Sequence, residues 1–313
     1  MQNGKNLYYS FNEYVKKRFN TKVYKITIDA GFTCPTRDGT KGTTGCIYCD
    51  KYGSGNKLSF ENKSIKEQIE LGRNLLSKKY NAKKFFIYFQ AFTNTYATVE
   101  KLKTIYNEAL KFDNGDFVGI IIGTRPDCID KEKLNLISSY HPQYEVWIEY
   151  GLQSIHKKTL QFINRGHSLD DYLNAVKLTR KYPIKITTHI IVGLPFETKK
   201  EILETAKFLA NLEYTDALKI HSFYIPKTSF VAKIYEKEKF KLLTLDEYAE
   251  IVSEILEILP PEMIIARLTG ETDKENLLAP DWILNKNKVI EKIIYFLKIK
   301  NSFQGKYYKK VLT

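Results

Sequence analysis

The sequence contains little that would place the protein outside the cytosol or in a membrane. It has only four cysteines among 313 residues, and its first residues lack a hydrophobic stretch of signal-peptide length, so we expect neither export nor disulfide formation. The longest apolar runs, such as residues 117–122, are far too short to span a bilayer. We therefore expect a cytoplasmic protein in a reducing compartment, with no membrane partner.

What is present is a regular alternation of strand and helix signals. Six β-branched runs are separated by amphipathic stretches, and two helix starts carry capping boxes, Thr198 with Glu201 and Thr244 with Glu247. This alternation predicts an α/β fold with a parallel sheet, and six units fit a partial barrel better than a closed one of eight strands. A doubly wound open sheet is the alternative, and in either fold ligands bind at the carboxyl ends of the strands. The predicted strands are residues 23–28, 85–89, 117–122, 145–149, 186–192 and 217–223.

Positive charge is concentrated at the two ends of the chain. The net charge is +13, and residues 1–25 carry six Lys or Arg against one Glu, whereas residues 283–313 carry eight Lys against one Glu. A near-neutral body with two basic ends is typical of contact with a phosphate backbone, and the alternative is solvated lysines that only aid solubility. The tail at 293–310 is also rich in Tyr and Phe, which can stack on unpaired bases. We predict a barrel domain with a basic N-terminal segment at 1–235 and a C-terminal appendage with a basic tail at 236–313.

Three of the four cysteines lie in one glycine-rich segment that follows the first predicted strand. Cys46 and Cys49 are close enough in sequence to bind one metal centre together, and the glycines between them and Cys34 allow that residue to fold back as a third ligand. A structural zinc site takes four closed ligands, whereas a four-iron cluster held by three cysteines leaves one iron open. The segment contains no histidine, and the nearest in sequence is His141. The spacing favours an open iron–sulfur cluster, with zinc or unliganded thiols as alternatives.

The segment resembles a known superfamily. Its ending, Cys-Ile-Tyr-Cys, is similar to the cluster motif of the radical S-adenosylmethionine (SAM) superfamily, although the eleven residues between Cys34 and Cys46 exceed the usual spacing. The longer loop matches a subgroup. In order along the chain from about Tyr8 to Lys288, the segments that resemble the YtqA/YhcC-like (MnmL-type) radical SAM group, related to Elp3, are GFTCPTRDGTKGTTGC, YFQAFTNTYA, GTRPDC, EYGLQS, NRGH, HIIVGLPFET, PPEMIIARLTG and LLAPDW.

The resemblance implies a fold, two cofactors and a set of binding residues. The fold is a partial (β/α)6 TIM-like barrel of the radical SAM type. Cys34, Cys46 and Cys49 would bind a [4Fe–4S] cluster, whose open iron would chelate SAM. The implied SAM-binding residues are Tyr48 near the adenine, Gln90 and Thr93 in place of an acidic motif near the amino group, Glu149, Gln153, Ser154 and Arg165 near the ribose and carboxylate, and Gly193 and Pro195 in the adenine pocket.

Several of these residues have a purely structural alternative. Tyr48 can be core packing, and Glu149 can form an ordinary surface salt bridge. Arg125 either holds a carboxylate or phosphate or pairs with Glu149, while Arg37 and Lys41 are placed to moderate thiolate charge. His189 and His221 lie in apolar strand patterns, and we expect them to be core histidines that bind no metal. Cys128, after the third strand, is either a hydrogen donor to a substrate radical or a small packing residue.

The resemblance also implies a substrate. The related group is associated with tRNA wobble uridine, whose 5-carboxymethylaminomethyl group would be converted to 5-aminomethyl through a 5′-deoxyadenosyl radical. We expect the tRNA anticodon region and a reductant such as flavodoxin or ferredoxin as partners, with Arg125 or Arg267 as candidates for the precursor carboxylate. The alternatives are a radical SAM enzyme acting on a small molecule such as a porphyrin, and a non-enzymatic RNA-binding module with a structural metal.

Overall fold

The computed structural model describes residues 6–53 and 63–309, in which seven parallel strands curl into a half-barrel. These strands are β1 Val23–Ile28, β2 Lys84–Phe89, β3 Phe117–Thr124, β4 Glu145–Gln153, β5 Lys185–Val192, β6 Ala217–Ser222 and β8 Ile264–Arg267, and the strand between β6 and β8 in the chain belongs to a second sheet. They lie side by side in this order, and every neighbouring pair is parallel. The six predicted strands are confirmed, and the doubly wound alternative is wrong. Strand β8 was not predicted, because its four residues are too few to show a periodicity.

Seven of the described helices begin at a hydroxyl or carboxylate side chain that caps their first turn. Both predicted capping boxes are formed, at Thr198 with Glu201 and at Thr244 with Glu247. The helices are α1 Phe11–Phe19, α2 Ile65–Tyr80, α3 Val99–Leu110, α4 Lys131–Ser138, α5 Lys157–Phe162, α6 Leu169–Thr179, α7 Lys199–Ala210, α8 Phe230–Lys237, α9 Leu245–Ile258 and α10 Lys286–Ile299. Within the described ranges, no helix combines the length and the apolar character that a membrane crossing requires.

The inner face of the sheet is closed at its amino end by helix α1. Phe11 and Val15 of this helix pack on the inward-facing Phe86 and Trp147 in a buried apolar cluster. The rings of Phe11 and Trp147 meet edge to face, with centroids 5.8 Å apart. The hydroxyl of Tyr14 also donates to the carboxylate of Glu145, 2.8 Å away. This apolar floor fills the amino end of the half-barrel, so a functional site is expected toward the carboxyl ends of the strands.

The C-terminal part of the chain contributes to the sheet as well as lying beside it. Strand β8 pairs with β6, and a two-stranded antiparallel ladder joins β7, Ile225–Pro226, to β9, Leu277–Ala279. The proposed domain boundary at residue 235 stays a prediction. Of the predicted basic ends, residues 1–5 and 310–313 lie outside the described residues.

Candidate active site

A cavity of about 620 Å³ lies at the carboxyl ends of the strands, where the sequence predicts a ligand site. Residues from the cysteine segment and from the inner face of the sheet form its wall. The predicted site residues that line it are Cys34, Cys46, Cys49, Tyr48, Gln90, Thr93, Arg125, Glu149, Gln153, Arg165 and Arg267. The structure therefore brings most of the predicted site residues to one place.

Four predicted site residues lie elsewhere in the part of the chain that the structure describes. Ser154 is fully buried and donates its hydroxyl to the carboxylate of Glu197. Gly193 lines a separate groove beside α7, α8 and α9, and Pro195 follows it in the chain. Cys128 is buried behind the cavity wall, and Thr95 donates to its carbonyl oxygen. The roles implied for these residues gain no support from the cavity lining, and the geometry favours the packing alternative for Cys128.

The cysteine segment is held in shape by its own backbone and by one arginine. The N–H of Arg37 donates to the carbonyl of Cys34 at 2.9 Å, and the N–H of Gly45 donates to the carbonyl of Thr36 at 2.8 Å. The guanidinium of Arg37 reaches the carbonyl of Cys49, 3.2 Å away, and so ties the two ends together. Gly45 has a φ of +73°, and a Cβ there would lie 2.7 Å from Nε of Arg37. Only glycine fits at this position.

Each of the three thiols has a defined environment on the cavity wall. Sγ of Cys34 lies 2.9 Å from the hydroxyl oxygen of Thr93, and Sγ of Cys46 accepts from Nη1 of Arg165 at 3.4 Å. Burial raises the pKa of Cys34, and it raises the pKa of Cys49 to about 12. Both shifts favour the protonated thiols of Cys34 and Cys49 in the free protein, and a metal centre that binds them displaces protons.

The number and type of donors fit a cluster. A structural zinc site takes four protein ligands, whereas three cysteine thiolates can hold a four-iron cluster and leave one iron open. Among residues 6–53 and 63–309, no group of three His, Cys, Asp or Glu side chains is arranged to hold a metal ion. The preference for a cluster therefore rests on the three thiols and their place on the cavity wall.

Arg165 connects the cysteine segment to the end of β4. Its Nε and Nη2 donate to the carbonyl of Gly151 at 3.2 and 2.6 Å, while its Nη1 contacts Cys46. Nε2 of His167 lies 3.0 Å from the same carbonyl oxygen. A Cβ on Gly151 would lie 2.5 Å from Nη2 of Arg165, so glycine is required for this close approach. The segment NRGH therefore positions one of the predicted cluster ligands.

Arg125 is buried and only partly paired. Its Nε and Nη2 each donate to a carboxylate oxygen of Asp127 at 2.9 Å, which makes the predicted alternative of a pair with Glu149 wrong. Burial opposes ionisation of Asp127, but the hydrogen bonds from Arg125 and Lys41 bring its pKa down to about 2. Lys41 lies 2.6 Å from Asp127, where it does not perform its predicted role beside the thiolates. Nη1 of Arg125 is buried and has no partner among the described residues, as expected of a donor for an anionic ligand.

Glu149 is the centre of a buried polar network. Its side chain is only 1% exposed, so the predicted alternative of a surface salt bridge is wrong. Oε1 accepts from Lys25 at 3.3 Å, and Oε2 accepts from Tyr88, Lys219 and His189 at 2.6, 2.9 and 2.9 Å. Burial disfavours the carboxylate, but the charges of Lys219 and Lys25 hold the pKa of Glu149 well below its usual range. Its implied contact with SAM stays a prediction.

Sequence reasoning missed most of this network. Lys219 is an isolated lysine in a buried strand, and Tyr88 reads as an ordinary core aromatic. His189 and His221, predicted as core residues, both line the cavity, with their rings stacked at a centroid distance of 5.5 Å. One signal was available, because Lys219 and His221 are two residues apart in a strand and must share a face. Two polar residues on one face of an otherwise apolar strand indicate a polar lumen.

We expect His189 to make the protein less stable in mild acid. Burial and the charge of Lys219 lower the pKa of His189 from 6.5 to about 4. Below pH 6.5 the imidazole of His189 therefore binds a proton in the unfolded chain but not in the folded chain. The free energy of unfolding consequently falls as the pH falls. Between pH 7.5 and pH 5 the expected loss from this residue is about 2 kcal/mol. Urea unfolding at both pH values, with His189→Gln for comparison, measures it, since the variant should lose correspondingly less. An equal loss in the variant would assign the effect to other groups.

Comparison with known proteins supports the resemblance found in the sequence. The model of the radical SAM superfamily matches residues 39–209, and the model of the radical SAM C-terminal domain matches residues 215–298. The protein YtqA of Bacillus subtilis is 37% identical over 309 residues, which are 99% of this chain and 95% of YtqA. A tRNA uridine(34) acetyltransferase of Methanocaldococcus infernus is 24% identical over 155 residues, which cover 48% of this chain and 28% of that protein.

The fold also matches a solved structure. The archaeal Methanocaldococcus infernus Elp3 with an N-terminal deletion superposes with a TM-score of 0.72 at 17% sequence identity. The match covers 90% of this chain and 64% of that chain. The predicted half-barrel architecture is therefore confirmed by strand topology and by a structural neighbour.

Proposed function

The chain belongs to the radical SAM superfamily, and we propose that it converts the 5-carboxymethylaminomethyl group of tRNA wobble uridine to 5-aminomethyl. Two-electron oxidation of the N–CH2 carbon, with SAM as the oxidant, and hydrolysis of the resulting imine would release the carboxymethyl carbons as glyoxylate. Enzymes of this superfamily use a [4Fe–4S] cluster and SAM and need a reductant, for which flavodoxin or ferredoxin is our candidate. When bound, the two cofactors supply abstraction of a hydrogen atom from an unreactive C–H bond. The residues of this chain hold the cofactors, exclude water and orient the substrate.

We assign the cluster to Cys34, Cys46 and Cys49. The observation that carries this assignment is that all three thiols line one cavity at the carboxyl ends of the strands. Thiolates are the donors that iron–sulfur clusters use, and three of them leave one iron for SAM. Thr93 and Arg165 contact two of the sulfur atoms and fix their positions.

Arg125 is our candidate for the carboxylate of SAM. Asp127 orients its guanidinium through two hydrogen bonds, and the remaining Nη1 is buried without a partner in the described part of the chain. A buried N–H donor of this kind is satisfied by an anionic ligand. Tyr48 and Gln153 line the same cavity and remain proposed contacts of SAM.

Two observations support tRNA as the substrate. A relative that shares about half of this chain is named as a tRNA uridine(34) acetyltransferase. Tyr295, Phe303 and Tyr307 are about half exposed on α10 and the segment after it, among the lysines of the basic tail. Exposed aromatic rings among cations are typical of surfaces that stack on bases and contact phosphates.

The test is an anaerobic reaction with defined tRNA. The reconstituted protein, SAM and a reductant are incubated with tRNA that carries 5-carboxymethylaminomethyluridine. The nucleosides of the tRNA are then separated and identified by mass spectrometry. We expect 5-aminomethyluridine to appear together with 5′-deoxyadenosine. Release of 5′-deoxyadenosine with no change in any tRNA nucleoside would contradict the proposal and favour a small-molecule substrate.

Replacing Arg165 with lysine should weaken the site without removing a cluster ligand. Lysine keeps the positive charge but cannot contact Cys46 and the carbonyl of Gly151 at the same time. Loss of such a supporting contact lowers metal affinity or activity by about tenfold to a hundredfold. Iron retention under chelator challenge and the rate of 5′-deoxyadenosine release measure the effect. Arg180→Lys is the matched control, because Arg180 pairs with Asp216 near the surface. Wild-type iron retention in Arg165→Lys would show that Arg165 does not position a cluster ligand.

A further inference from the structure

Three polar side chains form a row across three adjacent strands inside the half-barrel. The Cα positions of His189 and Lys219 are paired between β5 and β6, and those of Lys219 and Arg267 are paired between β6 and β8. Paired residues of neighbouring parallel strands share a face of the sheet, and all three line the cavity. We call His189, Lys219 and Arg267 the lumen row. His221 lies two residues beyond Lys219 on the same face.

The two cations of the lumen row share their carboxylate partners with other lysines. Lys219 is 4% exposed and lies 2.9 Å from Glu149, but Glu149 also serves Lys25. Arg267 lies 3.4 Å from Glu271, which also pairs with Lys286. Each of the two carboxylates is therefore shared with a lysine outside the row, and the pair of Lys219 with Glu149 is deeply buried. Buried charge of one sign is unfavourable unless an opposite charge and hydrogen bonds satisfy it.

A ring nitrogen without a partner in the described part of the chain lies beside the row. Nε2 of His221 is buried and has no hydrogen-bond partner among the residues that the structure describes. The imidazole of His221 stacks on that of His189, which is fixed by its hydrogen bond to Glu149. Buried nitrogen atoms of this kind are nearly always satisfied in a folded protein, so His221 is placed to meet a ligand atom.

We propose that the lumen row, with His221 beside it, is a carboxylate-binding subsite for the substrate. The subsite lies on the sheet, apart from the cysteine segment, and Arg125 provides a separate anion donor nearer the thiols. A carboxylate there would give Lys219 and Arg267 an anion that they do not share with other lysines, and it would accept a hydrogen bond from Nε2 of His221 when that nitrogen carries the proton. The assignment of this carboxylate to the carboxymethylamino group of uridine rests on the proposed function.

The test uses the smallest molecule that carries the same group. N-methylglycine presents the secondary amine and the carboxylate, and its methyl ester presents the amine alone. Saturation-transfer NMR with the full chain should detect N-methylglycine and give little signal for the ester. Because a hydrogen bond to a charged group contributes about 1.5–3 kcal/mol, Lys219→Met and Arg267→Gln should each weaken binding by about tenfold or more. Arg267 is at the cavity edge, so its variant remains informative if Lys219→Met unfolds.

Lys185→Met is the matched control. Lys185 is also on β5, but its ammonium lies over the rings of Tyr14 and Trp147 at the closed end of the half-barrel. This variant should bind N-methylglycine like the wild type. Equal binding of acid and ester by the wild type, or wild-type affinity in Arg267→Gln, would overturn the subsite.

The tRNA reaction separates the subsite from the proposed function. If the lumen row binds N-methylglycine but tRNA is unchanged, the subsite stands and the tRNA proposal fails. If tRNA is converted, Arg267→Gln should raise KM for the modified tRNA by about tenfold, while Lys185→Met should keep the wild-type KM. If tRNA is converted and Arg267→Gln leaves this KM unchanged, the proposed function stands and the proposed subsite is refuted.

Discussion

Replacing Cys46 with serine is expected to abolish cluster binding and, with it, SAM cleavage. Serine has nearly the same size as cysteine, so the loop and the contact with Arg165 can keep their geometry, but its hydroxyl does not replace a thiolate on iron. We expect a loss of more than about a hundredfold in 5′-deoxyadenosine release, beyond the range for a residue that only supports a ligand. Iron and sulfide content after anaerobic reconstitution, and the release of 5′-deoxyadenosine on reduction, measure this loss.

Cys128→Ser provides the control for the iron content. Cys128 and Cys46 are both buried, at 7% and 6% exposure, so the two substitutions disturb packing to a similar extent. Of these two cysteines, only Cys46 lines the cavity in the described part of the chain. We expect Cys128→Ser to retain wild-type iron. Equal iron loss in both variants would mean that folding rather than ligation had been damaged, and full iron in Cys46→Ser would refute the ligand assignment.

Replacing Glu149 with glutamine is expected to destabilise the fold by about 3–5 kcal/mol, the range for breaking a buried ion pair. The substitution leaves Lys25 and Lys219 without their shared anion and removes an acceptor from Tyr88 and His189. Burial lowers the pKa of Lys219 to about 7, and the charge of Glu149 opposes that shift. Denaturant unfolding of the purified protein at neutral pH measures the change in free energy.

A double-mutant cycle distinguishes the buried network from a general effect of substitution. Adding Lys219→Met to Glu149→Gln removes the unpaired cation, so the double variant should recover part of the lost stability. Glu254→Gln is the surface control, because Glu254 pairs with Lys199 and Lys300 near solvent. Such pairs contribute at most about 1 kcal/mol. A loss of that size in Glu149→Gln would mean that water reaches the network.

Much of the site could be predicted because its residues follow strand ends. Cys34, Arg125 and Gln153 each lie at or just beyond the carboxyl end of a strand, and parallel strands bring those ends to one edge. Side-chain direction at the turns was not predictable. Gln153 has a φ of +75°, and the next residue, Ser154, points to Glu197 instead of the cavity. A local reversal of this kind is set by packing against α7, which sequence spacing does not reveal.

The interior network was unpredictable for a different reason. Lys25 and Glu149 are far apart in sequence, and only the curvature of the sheet brings them across the lumen. Strand β8 also had to be known before Arg267 could be placed next to Lys219. The register between strands that are far apart in sequence depends on which faces are buried in the folded sheet, and no periodicity within one strand encodes it.

The sheet has two edge strands, here called its margins, and the gap between them affects how large a ligand the half-barrel can bind. In the described chain β1 and β8 each pair on one side only, apart from a single bridge between Ser10 and Ile265. A fully closed cylinder admits only what passes its rim, whereas an unclosed one can take a residue of a large polymer sideways. Arg267 belongs to one of these margins and lines the cavity, so a nucleotide turned out of a folded RNA would meet a cation beside the gap.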